Sequence, residues 1–335
     1  METNLKGKNT APKKKKRRKK KKQGLQSINF HVVFFVVIIA LFLFAIVKFL
    51  IWHKGEDSGY NPNEITTEFD IETMDHIQPM DASRFEGHED DGVTTLLCLG
   101  NSPFSDNKGE NGLAQTLAKK MDGVAYDASF AGSFQSLKTE FYNPQYPADG
   151  ISLYHVIKAI CTKDFSIVEQ AAASVGGDAP ATVTMLKNMD FSKVDMLLIM
   201  YDLSDYIDRR PLYDPNNDNN LVTWTGSLNA SLQMLEETYP HIRTIIFSLP
   251  ACGKTIDGYY VDGDIHNLGN GTLVDYINYE MNVVLANGVS FIDNYYGVIN
   301  VDTRDEYLIN DYHLNEKGIE AIADRFYYFF GDSQK

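Results

Sequence analysis

Hydrophobic and polar positions divide this chain into three unlike stretches. Residues 13–22 are an unbroken run of Lys and Arg. An apolar stretch then extends from Phe30 to Trp52, without a polar residue from Val32 to Val47. As a helix it would measure about 34 Å at roughly 1.5 Å per residue, enough for a hydrocarbon core of about 30 Å. Lys48 can snorkel at the far end, and Trp52 suits an interface. The run is longer than a signal-peptide core and no small-x-small cleavage site follows it. The order of basic and apolar runs therefore predicts an uncleaved anchor with its amino terminus in the cytoplasm. Nuclear localisation, the other use of such a basic run, fits poorly with an apolar span directly behind it.

Beyond residue 92 short apolar runs alternate with helical spacing. Strands are predicted at Thr94–Leu99, Val124–Phe130, Met196–Tyr201, Thr244–Leu249 and Val289–Ile292. Helices are predicted at Leu113–Met121, Leu221–Thr238, Thr272–Ala286 and Glu316–Phe330. Runs such as Met196–Tyr201, apolar throughout, suit strands buried on both faces. Alternating strands and helices imply a parallel sheet covered by helices on both sides. Residues 142–188 form a long interval with two helical pieces, read as an insertion or cap. Residues 253–271 are rich in Gly, Asp and Asn and read as a loop or hairpin. The expected division is a basic cytoplasmic tail at 1–27, a transmembrane helix at 28–53, an extracellular stalk and linker at 54–92, and one domain at 93–335.

Charge sharpens this picture. The net charge of −14 combines a basic tail with a strongly acidic remainder: from Gly55 onward 44 acids face 17 bases. Such a domain repels phosphate polymers, which excludes nucleic acid as a natural partner, while the tail suits anionic lipid heads. Cys98, Cys161 and Cys252 are too few for a disulfide framework, and none sits in a C-x-x-C pair, so buried free thiols are expected. Asp257, Asp262 and Asp264 lack the spacing of a calcium loop and read as a solvated loop. Tyr201, Tyr206, Tyr259 and Tyr260 could stack on sugar rings or simply pack.

In open parallel α/β sheets, ligands bind beyond the carboxyl ends of the strands. There the first strand runs into Gly100-Asn101-Ser102, the second into Ala131-Gly132, and the third into Asp202-Leu203-Ser204-Asp205. His313 stands just before the last helix. A serine hydroxyl needs a base to take its proton, and the base needs a third group to orient it. Ser102 and His313 supply the first two. Gly132 can offer an unobstructed N–H to an oxyanion. Each residue alone has an ordinary structural use, Ser102 as a helix cap or turn residue and Asp202 or Asp205 as a local cap.

This constellation resembles the SGNH/GDSL hydrolase family over about Thr94 to Phe330. Gly100-Asn101-Ser102 is similar to the first family block, with Asn101 where Asp is usual. Ala131-Gly132 is similar to the second, and His313 with Asn315 and Gly318 to the last. The resemblance implies a three-layer αβα flavodoxin-like fold and serine-dependent ester chemistry, with Ser102 as nucleophile, His313 as base, and no metal or organic cofactor. It also implies an oxyanion hole from the N–H groups of Ser102 and Gly132. Two departures stand out. The third block lacks the family's oxyanion asparagine, leaving Ser204 as a substitute. The family's acid lies three residues before the histidine, where this chain has Asn310; Asp311, one residue nearer and at the spacing of related acyltransferases, is the expected orienting group, with Asn310 the alternative. The expected substrate is an O-acylated cell-envelope glycan. An acyltransferase using the same residues and a non-catalytic glycan- or protein-binding domain are the alternatives.

Overall fold

The computed structural model describes residues 30–54, 73–85, 88 and 90–331. The basic run and most of the expected stalk lie outside the described residues. The chain divides into two units, residues 1–69 and 70–335. The first is described through one helix, α1 (Phe30–Lys54). Its side chains are described from Val33 to Lys48, and all of them are exposed. Among the described residues no helix is long and apolar enough to cross a membrane.

In chain order the second unit contains β1 (Thr95–Gly100), α2 (Ser102–Ser105), α3 (Leu113–Lys120), β2 (Val124–Asp127), α4 (Pro147–Gly150), α5 (Leu153–Thr162), α6 (Ser166–Val175), α7 (Ala179–Asn188) and β3 (Met196–Met200). There follow α8 (Ser204–Ile207), α9 (Trp224–Thr238), β4 (Arg243–Phe247), the hairpin strands β5 (Gly253–Ile256) and β6 (Tyr259–Asp262), α10 (Leu273–Ala286) and β7 (Ser290–Ile292). The last elements are α11 (Asn294–Gly297), α12 (Arg304–Tyr307), the short strands β8 (Leu308–Ile309) and β9 (His313–Leu314), and α13 (Glu316–Phe330).

Five strands form a parallel sheet in the order β2-β1-β3-β4-β7. This is the flavodoxin-like order, with its switch point beside β1. Alternation along the strands sorts the side chains into two cores. Leu97 and Leu99 of β1 and Leu197 and Ile199 of β3 join the core that also takes buried side chains from α5, α6, α7, α9 and α10. Leu96 and Cys98 of β1 and Met196, Leu198 and Met200 of β3 face the core closed by α3 and α13. Three layers result, and β1 and β3 are buried from end to end. Burying one such side chain contributes roughly 1.5–3 kcal/mol.

Helix starts follow their caps. The Thr223 hydroxyl accepts the Gly226 N–H at 3.0 Å, which begins α9 later than the expected Leu221. Thr272 and Asp275 form a reciprocal capping box on α10. Asn315 accepts the Gly318 N–H at 3.0 Å and fixes the start of α13, immediately after His313. The 142–188 interval carries one more full-length helix than its periodicity predicts: α7 begins Ala179-Pro180, where proline is tolerated in the first turn. Residues 253–262 form the hairpin. Asp257 is exposed in its turn, as a solvated loop would have it, but the other two aspartates are engaged: Arg304 grips Asp262 with two bonds of 3.1 and 2.7 Å, and the Tyr295 hydroxyl donates to Asp264 at 2.6 Å. Cys98, Cys161 and Cys252 are free thiols.

Residues 74–78, which the sequence places in the stalk, lie along β7. His76 bridges Phe291 in antiparallel fashion, with both backbone bonds made. Met74 N–H donates to Asp293 at 2.9 Å, and Gln78 N–H donates to Ser290 Oγ at 3.1 Å. The Arg325 guanidinium pairs with Asp75.

Candidate active site

Ser102 sits at the carboxyl end of β1, as the first residue of α2. Gly100, two residues earlier, has φ +150°, and a Cβ there would collide with the Met200 carbonyl of β3. Only glycine lets β1 run this close to β3 and turn into α2. At the end of β2 the Ser133 N–H bonds back to the Phe130 carbonyl at 3.1 Å, closing a turn through Ala131 and Gly132. Gly132 has φ +71° with open space around it, so the backbone conformation, rather than crowding, requires glycine. No acceptor takes its N–H among the described residues.

The Ser102 hydroxyl does not meet His313. It donates to Asp202 Oδ2 at 2.6 Å. Asp202 Oδ1 accepts the Asn101 side-chain amide at 2.9 Å and the Ser204 N–H at 2.8 Å. Asn101 in turn accepts the Asp202 N–H at 2.7 Å and donates to the Ser133 carbonyl at 2.9 Å, tying the ends of β1, β2 and β3 together. Ser204, expected at the oxyanion in place of the asparagine, thus has its N–H spent on Asp202.

His313 lies on β9, packed beside α2. Its Nδ1 is bonded to Asp106, the residue that closes α2. A carboxylate can only accept, so this bond places a proton on Nδ1. The Tyr312 ring packs against the imidazole, tilted by 32° with ring centres 4.0 Å apart. Asp311 does not reach His313. The turn between β8 and β9 puts Asn310 at φ +48° and Asp311 at φ +74°. From that left-handed turn, Asp311 accepts the Thr255 N–H of β5 at 2.7 Å. Asn310 lines a cavity of about 510 Å³ with Tyr260, Arg304, Asp305, Leu308 and Asp311. The carboxylate that meets His313 is therefore Asp106, which sequence reading missed. One signal for it existed: Ser102 and Asp106 are four residues apart, one face of a helical turn.

Behind the site, Asp205 accepts the backbone N–H groups of Gln135 and Ser136, each at 3.0 Å. It is neither a cap nor a turn residue; it anchors the segment that follows Gly132. Burial pushes its carboxyl up to about 6, with Ser136 and Arg210 working the other way. Glu280, also buried, lies against Gln135, and burial raises its carboxyl well above the usual range. Gln135 donates its amide to the Trp224 carbonyl at 3.2 Å, while its Oε1 has no partner. Tyr201 and Tyr206 are buried and offer no ring face to a ligand, whereas Tyr259 and Tyr260 are exposed.

No family model and no curated protein matches the sequence. Solved structures do match. A protein from Lactobacillus plantarum is 15% identical with a TM-score of 0.51, covering 72% of this chain and 98% of its own. A possible lipase from Chitinophaga pinensis is 12% identical with a TM-score of 0.46, covering 70% and 97%. A carbohydrate acetylesterase family member from Sinorhizobium meliloti is 12% identical with a TM-score of 0.40, covering 71% and 100%. At these identities the likeness concerns fold. The strand order, with a serine after β1 and a histidine ahead of the last helix, gives the chain an SGNH/GDSL hydrolase-like fold.

Proposed function

We propose that this is a serine-dependent ester hydrolase, anchored in the cell membrane through the apolar run Phe30–Trp52 with the residues beyond that run outside. The observation that carries the reading is the His313–Asp106 pair, held on β9 beside the helix that begins with Ser102. Ser102 Oγ attacks the ester carbonyl and its proton passes to His313. Asp106 orients His313 and stabilises the imidazolium. The N–H groups of Ser102 and Gly132 receive the oxyanion. His313 then protonates the leaving alcohol, and water releases the acid by the same steps. O-acyl groups on cell-envelope glycans are the substrates this placement favours. The anchor rests on the basic run followed by the apolar run, with the tail against anionic lipid heads.

Fluorophosphonate labelling of the full chain tests the chemistry. Labelling lost in Ser102→Ala supports it, and no labelling of the wild type refutes it. Protease added to intact cells tests the topology: removal of the second unit with the tail spared supports it, and full protection refutes it. The Ser102 bond to Asp202 favours a second reading, a non-catalytic binding domain, which absent labelling would select.

A further inference from the structure

The partner of the Ser102 hydroxyl is the unexpected feature of this site. Three donors converge on Asp202: the Ser102 hydroxyl on one oxygen, and the Asn101 amide and Ser204 N–H on the other. The carboxylate is buried and held on both sides by the ends of β1 and β3. A carboxylate is a far weaker base than imidazole, so accepting this hydrogen bond does little to make the serine nucleophilic. The bond also directs the proton away from His313, and no hydrogen bond joins Ser102 and His313 among the described residues. During attack the oxyanion forms two bonds from Oγ, within reach of a negative charge 2.6 Å from that same oxygen. Like charges placed together in a water-poor site raise the barrier rather than lower it.

We propose that Asp202 restrains Ser102: its carboxylate holds the hydroxyl in a resting position and opposes the oxyanion, so removing that charge speeds ester turnover. This inference rests on the ester-hydrolase reading above. Attack requires the Oγ–H bond to leave Asp202 and its proton to pass to His313, as Oγ bonds to the acyl carbon. Loss of the leaving alcohol, protonated by His313, then gives the acyl-serine.

The test compares wild type, Asp202→Asn, Asp202→Ser and Ser102→Ala, and each Asp202 variant combined with Ser102→Ala, in the full chain. An amide at 202 keeps an oxygen for Asn101 and Ser204 and turns a donor towards Oγ. A serine there supplies no such amide, so a gain shared by both variants reports the lost charge. Hydrolysis of p-nitrophenyl acetate and the rate of fluorophosphonate labelling are measured on protein whose melting transition is intact. Both Asp202 variants are expected to rise at least tenfold in both measurements, and Ser102→Ala should abolish the gain. If one variant fails to fold, the other decides. Rates at or below wild type, with wild-type turnover still dependent on Ser102, overturn the restraint and leave the hydrolase reading standing. No Ser102-dependent turnover or labelling in any variant overturns both.

Discussion

Replacing Asp106 should slow ester turnover, but by less than the loss of the acid from a buried triad. In a serine-protease triad, changing the buried aspartate to asparagine lowers kcat about 10⁴-fold. Here the pair is open to water, with side-chain exposures of 33% for His313 and 41% for Asp106. Two unit charges about 4 Å apart interact by about 1 kcal/mol in bulk water and about 4 kcal/mol at an effective dielectric near 20. Those limits correspond to about 5-fold and about 10³-fold in rate. A half-exposed pair falls between them, so Asp106→Ala is expected to lower kcat/KM by about 10- to 100-fold. Asp311→Ala should remain within a few-fold of wild type, because that carboxylate serves the Thr255 N–H on β5. Asn310→Asp should add nothing, since the turn directs position 310 into the cavity it lines. The assay is Ser102-dependent hydrolysis of p-nitrophenyl acetate. Wild-type turnover in Asp106→Ala, or a loss in Asp311→Ala equal to that in Asp106→Ala, would refute the reasoning.

Ser102→Ala and His313→Ala should each remove most turnover, and the double variant should be little worse than either single, because residues acting as a unit are not additive; activity surviving in Ser102→Ala would place the chemistry elsewhere. Burial raises the Glu280 carboxyl well above its usual range, so between the unfolded and folded values the unfolded form releases a proton that the folded form keeps. The fold then loses stability from this group as pH rises above the unfolded value, by about 1.4 kcal/mol per pH unit while the folded group stays neutral. Glu280→Gln should therefore melt higher than wild type at pH 8, with the gap closing towards pH 5, and a gap independent of pH would contradict the assignment. Leu198→Ala, at a fully buried position of β3, should cost about 2–5 kcal/mol in urea unfolding; a loss below 1 kcal/mol would mean that the sheet repacks freely.

Much of the fold was legible because its signals are local and periodic. The buried strands read as continuous apolar runs, and α13 could be placed to its exact ends, Glu316–Phe330. The sequence carries β2 on to Phe130; the regular strand ends at Asp127, although Ala128 and Phe130, both buried, still donate their N–H groups to the Cys98 and Gly100 carbonyls of β1. At the site, the pattern placed Ser102, Gly132 and His313 at strand ends and before the last helix. It failed on their partners, because hydrogen bonding across the sheet leaves no trace in sequence spacing. Asp311 is nearer to His313 along the chain than Asp106, but two consecutive left-handed residues carry its carboxylate to β5. The Ser102–Asp202 contact joins residues 100 positions apart, and they meet because β1 and β3 lie side by side in the assembled sheet.

The strip formed by residues 74–78 bears on what keeps one copy of the second unit from pairing with another. The outer side of an edge strand is a row of free backbone donors and acceptors, ready to pair with another copy. Beside β7 the Phe291 N–H and C=O are taken up by His76, while Met74 and Gln78 bond to the Asp293 and Ser290 side chains to either side. A chain shortened to begin at residue 93 would keep all nine strands and the residues around Ser102, yet lay this edge bare. It would be expected to clump as concentration rises, whereas a chain begun at residue 73 would not. The segment leading into the domain thus also serves as its guard against sticking to itself.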